Sequence, residues 1–244
     1  NTLLERHING LVKRALDLGY DLYDVLRASS YNQAKHYGMP IGFLQEGDSA
    51  DFIIIDDLKA LNIKETFVKG KCIYNGKDIH FPAKEVVPIN KFHAQPITMK
   101  ELEVKAISDK MRVIVCTDGN LDTSEEIVSP AVKEGMAISD TSTDIIKIVV
   151  VNRYQKAPLS IGFIKGTGLK RGAVAQSITH DSHNIIAIGC TDEELAKAIN
   201  EVILQQGGIT VVNGTETTTL SLPIAGLLSP LPLDEIDATY RILE

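Results

Sequence analysis

The sequence predicts an α/β (α+β) chain built around a mixed sheet, and three observations predict it. Short apolar runs rich in β-branched residues recur through the second half: Met111–Cys116, Asp144–Val151, Pro158–Ile164, Ala173–Ile178 and Ile185–Ile188. A capping box, Thr191-x-x-Glu194, opens a helix whose Leu195, Ala198, Ile199, Val202 and Ile203 share one face. Strands alternate with one or two helices, the pattern of a layered sheet with helical cover.

The elements follow in order. Leu3, Leu4, His7, Ile8, Leu11, Val12, Ala15 and Leu16 repeat at helical spacing, and Gly19 supplies a stop. Asp21 caps a second helix running to about Tyr37, ended by Gly38-Met39-Pro40. His7 and His36 ride on these helices as packed or surface residues. Asp51–Asp56 is a buried strand closed by acids, with Asp56-Asp57 ending it in solvent. Lys64–Val68 and Lys71–Tyr74 form a hairpin about Lys69-Gly70, and Asn75-Gly76 is a further turn. A β-unit of about 40 residues is too small to hold a core alone. Residues 80–110 contain Pro82, Pro88 and Pro96 and little periodicity, the mark of a linker or an extended crossing segment. Asp118-Gly119-Asn120 is a turn. Beyond the capped helix, Gly207-Gly208 stops it, Ile209–Val212 and Thr217–Leu222 are strands, and Asp234 caps a last helix to Leu243. The domain boundaries on this reading are 1–37, 38–80, a linker at 81–95, and 96–244.

Composition narrows the function. A chain of 244 residues with 44% hydrophobic and 23% charged residues has an ordinary globular make-up. A net charge of −7 speaks against nucleic acid, which demands a basic face. No run of about 18 apolar residues suggests a membrane helix. Cys72, Cys116 and Cys190 are odd in number and far apart, which suits free thiols in the cytoplasm. No CxxC is present, which excludes a cysteine-ligated zinc site of the cytidine-deaminase type. The chain begins at Asn1, with no secretory or transit pattern ahead of the first helix, and reads as a piece of a longer protein.

The richest candidate site is His180-Asp181-Ser182-His183-Asn184, five polar residues between two apolar runs. Two imidazoles and a carboxylate are the groups of metal ligation, or of a base oriented by an acid. In an extended segment His180 and Ser182 would face away from Asp181 and His183, whereas a tight turn would converge them. The bland alternative is a polar connection that satisfies backbone groups. A second candidate is Gly166-Thr167-Gly168-Leu169-Lys170-Arg171-Gly172, three glycines with Lys165, Lys170 and Arg171 as an anion cradle. It matches neither the Walker nor the dinucleotide spacing, and a plain loop between strands is favoured. GxSxG, HExxH and HxH are all absent, so no complete catalytic constellation can be assembled.

Two longer patterns carry a resemblance. Gly42-Phe43-Leu44-Gln45-Glu46-Gly47-Asp48-Ser49-Ala50-Asp51 followed by Phe52-Ile53-Ile54-Ile55-Asp56 resembles the signature of amidohydrolases where the chain leaves the metal-binding barrel for its β-sandwich. Val68-Lys69-Gly70-Lys71 agrees, and residues 1–37 resemble the closing helices of a TIM-type barrel. Three further stretches, Val150-Val151-Asn152-Arg153, Gly166-x-Gly168-Leu169-Lys170-x-Gly172 and His180–Asn184, resemble the C-terminal domain of bacterial adenine deaminases, as does Leu222-Pro223-Ile224-Ala225-Gly226-Leu227. The resemblance implies hydrolysis of adenine to hypoxanthine and ammonia by a hydroxide on two Mn or Fe ions, in a cytoplasmic homo-oligomer of purine metabolism. It also implies that the barrel's metal ligands lie outside this chain, that no metal sits within it, and that the chain alone is inactive. On that basis His180, Asp181 and His183 are expected in a supporting catalytic role, and Ser182 and Asn184 at the substrate. The competing reading is a structural or oligomerisation module, and a weaker one is a separate metal site at His180 and His183.

Overall fold

In a computed structural model, residues 7–81, 87–180 and 182–243 are described. The chain divides into two compact units, residues 1–85 and 86–244. No helix among the described residues is long and apolar enough to cross a membrane.

The first unit opens with helices. Helix α1 (Ile8–Asp17) buries Val12 and ends where the Gly19 N–H, at φ +88°, reaches the Leu16 carbonyl. Asp21 caps the next helix as expected: its carboxylate accepts from the N–H of Tyr23 and Asp24 at 2.9 and 3.1 Å. That helix runs as α2 (Leu22–Leu26), a π-helical turn (Arg27–Tyr31) and α3 (Asn32–His36). The π turn has a local cause. Ser29 and Ser30 both donate their hydroxyls to the Leu26 carbonyl, at 3.2 and 2.7 Å, in competition with the regular backbone ladder.

Three antiparallel strands follow, β1 (Phe52–Ile55), β2 (Ile63–Val68) and β3 (Lys71–Tyr74), in the order β1-β2-β3. Lys69 and Gly70 both take positive φ, 49° and 73°, which is the conformation a two-residue hairpin wants. The glycine- and aspartate-bearing signature ahead of β1 is a clasp. Asp51 accepts the N–H of Lys69 at 2.8 Å and of Gly42 at 3.1 Å, so one carboxylate ties the loop to the hairpin. A Cβ at Gly42 would lie 1.7 Å from the Ser49 carbonyl oxygen, which is why that position is glycine. Asp56 is exposed at its strand end, and its carboxylate also binds the Asn62 amide and backbone, at 2.7 and 2.9 Å.

The second unit is an eight-stranded sheet. Its strands are β5 (Met111–Val115), β6 (Ser124–Val128), β9 (Ile145–Val151), β10 (Ser160–Lys165), β11 (Ala173–Gln176), β12 (Ile185–Gly189), β13 (Gly208–Asn213) and β14 (Glu216–Ser221). Their order is β14-β13-β11-β12-β9-β10-β5-β6, antiparallel except for the parallel pair β10 and β5, so the sheet is mixed. Helix α4 (Asp192–Leu204) lies on one face. Its Leu195, Ala198, Ile199 and Val202 are fully buried against Val149, Ala173, Ala175, Ile185, Ala187 and Val212. Each such Leu, Ile or Val contributes about 1.5–3 kcal/mol by leaving water. A last helix, α5 (Leu233–Leu243), packs near β14.

Several elements depart from the expectation. Strand β6 was not expected, because Ser124-Glu125-Glu126 is polar and exposed; it forms the sheet edge, where charge guards against further pairing. The short strands β4 (Val104–Lys105), β7 (Val132–Lys133) and β8 (Met136–Ala137) make a separate small sheet. The run Ala173–Ile178 stops at Gln176, and Ile178 is exposed. Residues 87–98 have no regular structure, yet they strap onto the core: Ala94 and Ile97 are buried, and Asn200 holds the Ile97 N–H and carbonyl at 2.8 and 2.9 Å.

Candidate functional site at one end of the sheet

Strands β9 and β11 end where β12 and β13 begin, and the buried polar atoms without partners lie at this end. The cluster His180–Asn184 is the tip of the β11–β12 hairpin, not an extended segment. The Thr179 carbonyl accepts from the His183 N–H at 3.1 Å, and the Thr179 hydroxyl donates to the Asn184 carbonyl at 2.9 Å. Ser182 N–H donates to the His180 carbonyl at 2.9 Å. The turn leaves His183 at φ +48°, a left-handed conformation that costs a non-glycine residue about 1–2 kcal/mol.

The expected residues divide. His180 and Ser182 are exposed at the tip. His183 and Asn184 are half-buried and turn toward the sheet. The Asn184 Oδ1 accepts from the Arg153 N–H at 3.4 Å, while the His183 Nδ1 is buried with no hydrogen-bond partner. Asp181 lies outside the described residues. Among the described residues no group of three or more His, Cys, Asp or Glu gathers to hold a metal ion.

Beneath the tip lie groups that sequence reasoning did not single out as a site. Arg153 lies two residues beyond the end of β9 and is only 4% exposed. Its guanidinium lies between Phe92 and Tyr154, with ring centroids 5.8 and 4.7 Å from Cζ. Its Nη2 donates to the Tyr154 hydroxyl at 3.0 Å, and its backbone carbonyl accepts from His93 and Ala94 at 2.6 and 3.2 Å. Ser177, fully buried, donates to the Gly226 carbonyl at 2.6 Å and accepts from the Gly208 N–H at 2.9 Å. Gly226, at φ +70°, packs its Cα side against Arg153; a Cβ there would sit 1.9 Å from Nη1. The signal available in the sequence was the polar break Asn152-Arg153 immediately after a strand with six apolar residues in its seven positions.

The glycine loop is not an open cradle. Asp144, itself at φ +56°, places its own carboxylate in the loop and accepts the N–H of Gly166 and Gly168, each at 3.0 Å. The anion that this nest holds is internal. Lys165 pairs with Glu126 at 2.8 Å, and Lys170 donates to the Thr141 carbonyl at 3.1 Å. Next to that loop, at the end of the sheet opposite the hairpin tip, Cys190 lies beside Glu194 and Asp144; burial pushes its thiol up, and the two carboxylates add to the effect. A groove of about 640 Å³ against β5, β6 and β10 carries only the exposed Arg112–Glu125 pair, at 3.6 Å.

A helical run followed by a clasped three-stranded sheet is matched by the amidohydrolase family over residues 2–73, so the first unit is of amidohydrolase class. Residues 120–244 match the adenine deaminase C-terminal domain, and the chain belongs to that family. It is 55% identical over 238 residues to a protein named adenine deaminase from Parabacteroides distasonis, which covers 98% of this chain and 44% of that protein. Proteins of the same name from Methanosarcina mazei and Salinibacter ruber are 41% and 42% identical, over 99% and 100% of this chain and 46% and 45% of their own lengths. The chain spans less than half the length of these relatives.

Proposed function

We propose that this chain is the C-terminal part of an adenine deaminase, a hydrolase that converts adenine to hypoxanthine and ammonia. The observation that carries the reading is the 55% identity to a protein of that name across nearly the whole chain. The amidohydrolase match supports metal dependence, and a binuclear Mn or Fe centre would supply the attacking hydroxide. Its ligands are not in this chain, so the chain by itself is inactive. A reducing, cytoplasmic setting suits the three unpaired cysteines, and assembly as a homo-oligomer is part of the same reading.

Within that reaction the hairpin tip is the part of this chain that serves the substrate. His183 is strained and has an unpartnered Nδ1, the signature of a group held for a task outside its own domain. In this role the Nδ1 bonds the purine edge or passes a proton to the leaving amine. His180 and Asp181 support it, and Ser182 and Asn184 position the ring. The test is His183→Ala in the full-length enzyme, with metal content measured alongside kinetics. Loss of a general acid–base group lowers kcat/KM by about 10²–10⁴ at unchanged metal content. Unchanged kcat/KM assigns the tip to a domain interface instead.

A further inference from the structure

Among the described residues, Arg153 is the cation of the sheet end whose chemistry is incomplete. It is 96% buried by the 4% exposure of its residue, and its Nε and Nη1 donate to nothing. Only Nη2 is engaged, by a neutral tyrosine hydroxyl. No carboxylate is bonded to it among the described residues. A guanidinium is a fixed cation, and burying one without a counter-charge is among the most costly arrangements a fold can hold. The other buried cation of this unit shows the normal solution: Lys147, 1% exposed, is met by both oxygens of Asp192 at 2.7 and 2.8 Å.

The surroundings define what is missing. Phe92 and Tyr154 flank the guanidinium with aromatic rings, so a flat ligand fits better than a tetrahedral one. Arg153 stands as a single charge, with Asn184, Gly226, Phe92, Tyr154, His93 and Ala94 as its neighbours, so a monoanion balances it. The covering side chain, Tyr154, is 40% exposed, which places the guanidinium one side chain beneath the surface. Two more buried atoms without partners, His183 Nδ1 and Asn90 Oδ1, belong to the same end of the sheet. Asn90 is tied into the same cluster, since its amide donates to the Gln206 carbonyl at 2.6 Å and its neighbour Ile89 accepts from Ala225.

We propose that Arg153 is a receptor for one carboxylate that enters past Tyr154 and is either a free small carboxylate or an acidic side chain from outside residues 86–244. The carboxylate accepts from the idle Nε and Nη1 donors in the planar geometry that arginine favours. This site does not depend on the adenine deaminase reading, and its test reads no enzymatic activity.

The experiment uses the native full-length protein with acetate as the probe, against chloride at equal ionic strength. The readouts are the unfolding temperature and hydrogen exchange of residues 87–94 and 152–154. A site for free carboxylate gives a saturable rise in unfolding temperature with acetate, which Arg153→Met abolishes. Arg153→Lys keeps the charge without the fork, and shifts the acetate midpoint upward by about tenfold or more. A carboxylate borne by the protein gives no response to acetate, and both variants then exchange faster than wild type, because each strips or weakens an existing pair. Should Arg153→Met fail to fold, Arg153→Lys decides alone by the same two signs. The proposal is overturned if wild type ignores acetate and the foldable variants exchange no faster than it does. It is also overturned if Asp181→Asn reproduces the Arg153 losses, which would make the pair internal to the hairpin tip.

Discussion

The Lys147–Asp192 pair gives the sharpest test of how this sheet is held. Lys147 occupies a helix-facing position of β9 among aliphatic residues and is 1% exposed. Its ammonium meets the Leu102 carbonyl at 2.8 Å and the Asp192 carboxylate at 2.7 Å, joining the 3₁₀ turn Met99–Leu102, β9 and the first turn of α4. The two halves of the pair are unequal, since the Asp192 side chain is 30% exposed and keeps partial access to water. Removing the acid therefore strands a buried cation, whereas removing the cation leaves the acid solvated. Asp192→Ala is expected to cost about 3 kcal/mol, the lower end of the range for breaking a buried pair, because Asp192 is partly wet. Lys147→Met keeps the shape and loses mainly the donor to Leu102, for about 1 kcal/mol. Hydrogen exchange in the native protein reads both locally, at residues 146–151 and 195–204. The acid variant should speed exchange there about 150-fold and the Met variant about fivefold, at about 1.4 kcal/mol per tenfold. If Lys147→Met proves as damaging as Asp192→Ala, the attraction outweighs the desolvation and this reasoning fails.

Three further outcomes are expected. Gly226→Ala must place a methyl where Nη1 of Arg153 now lies and hold alanine at φ +70°, for about 2–5 kcal/mol in total; a smaller loss means that the guanidinium is free to move. The N–H from Lys69, then Ser49 and the N–H of Gly42, hold the Asp51 carboxyl below its usual value of 3.8. A carboxyl lowered in the folded state stabilises the clasp fully above that value and loses it as pH falls through the folded one. The amide shifts of Gly42 and Lys69 should thus stay constant from neutral pH down to about 5 and move only below about 4, with Asp51→Asn showing the moved positions at neutral pH. Burial raises the Cys190 thiol, so it should react with iodoacetamide more slowly than a free thiol at neutral pH and gain rate only in strong alkali; rapid labelling there contradicts the packing.

What the sequence revealed and concealed has physical causes. The capped helix α4 was legible because Thr191, Glu194 and the five apolar positions all state one periodicity, and every one of those five is buried. The hairpin at Lys69-Gly70 was legible for the same local reason. Strand β6 was not, because Ser124-Glu125-Glu126 is an edge, and its strand character comes from pairing with Met111–Val115 across the sheet. The glycine loop invited an external anion, since nothing local announces that Asp144, 22 residues earlier than Gly166, fills it. The hairpin tip was found by its polarity. The arginine beneath it was overlooked as a site because its burial depends on Phe92 and Gly226, which are remote in sequence.

The two ends of the sheet differ in a way that bears on function. At the end where α4 begins, the polar groups satisfy one another: Asp144 fills the glycine loop, Asp192 meets Lys147, and Thr191 and Glu194 close their capping box. At the other end, the unsatisfied atoms collect. Asn90 Oδ1, Arg153 Nε and Nη1, and His183 Nδ1 are buried and unpartnered there. Each such atom forfeits about 1–3 kcal/mol relative to a made bond. A fold under selection for stability alone would pair them or replace them, as the buried Lys147 is paired with Asp192 at the opposite end. Their retention beside a strained histidine favours a role in meeting something from outside residues 86–244 over the plain structural connection that the hairpin tip could otherwise be.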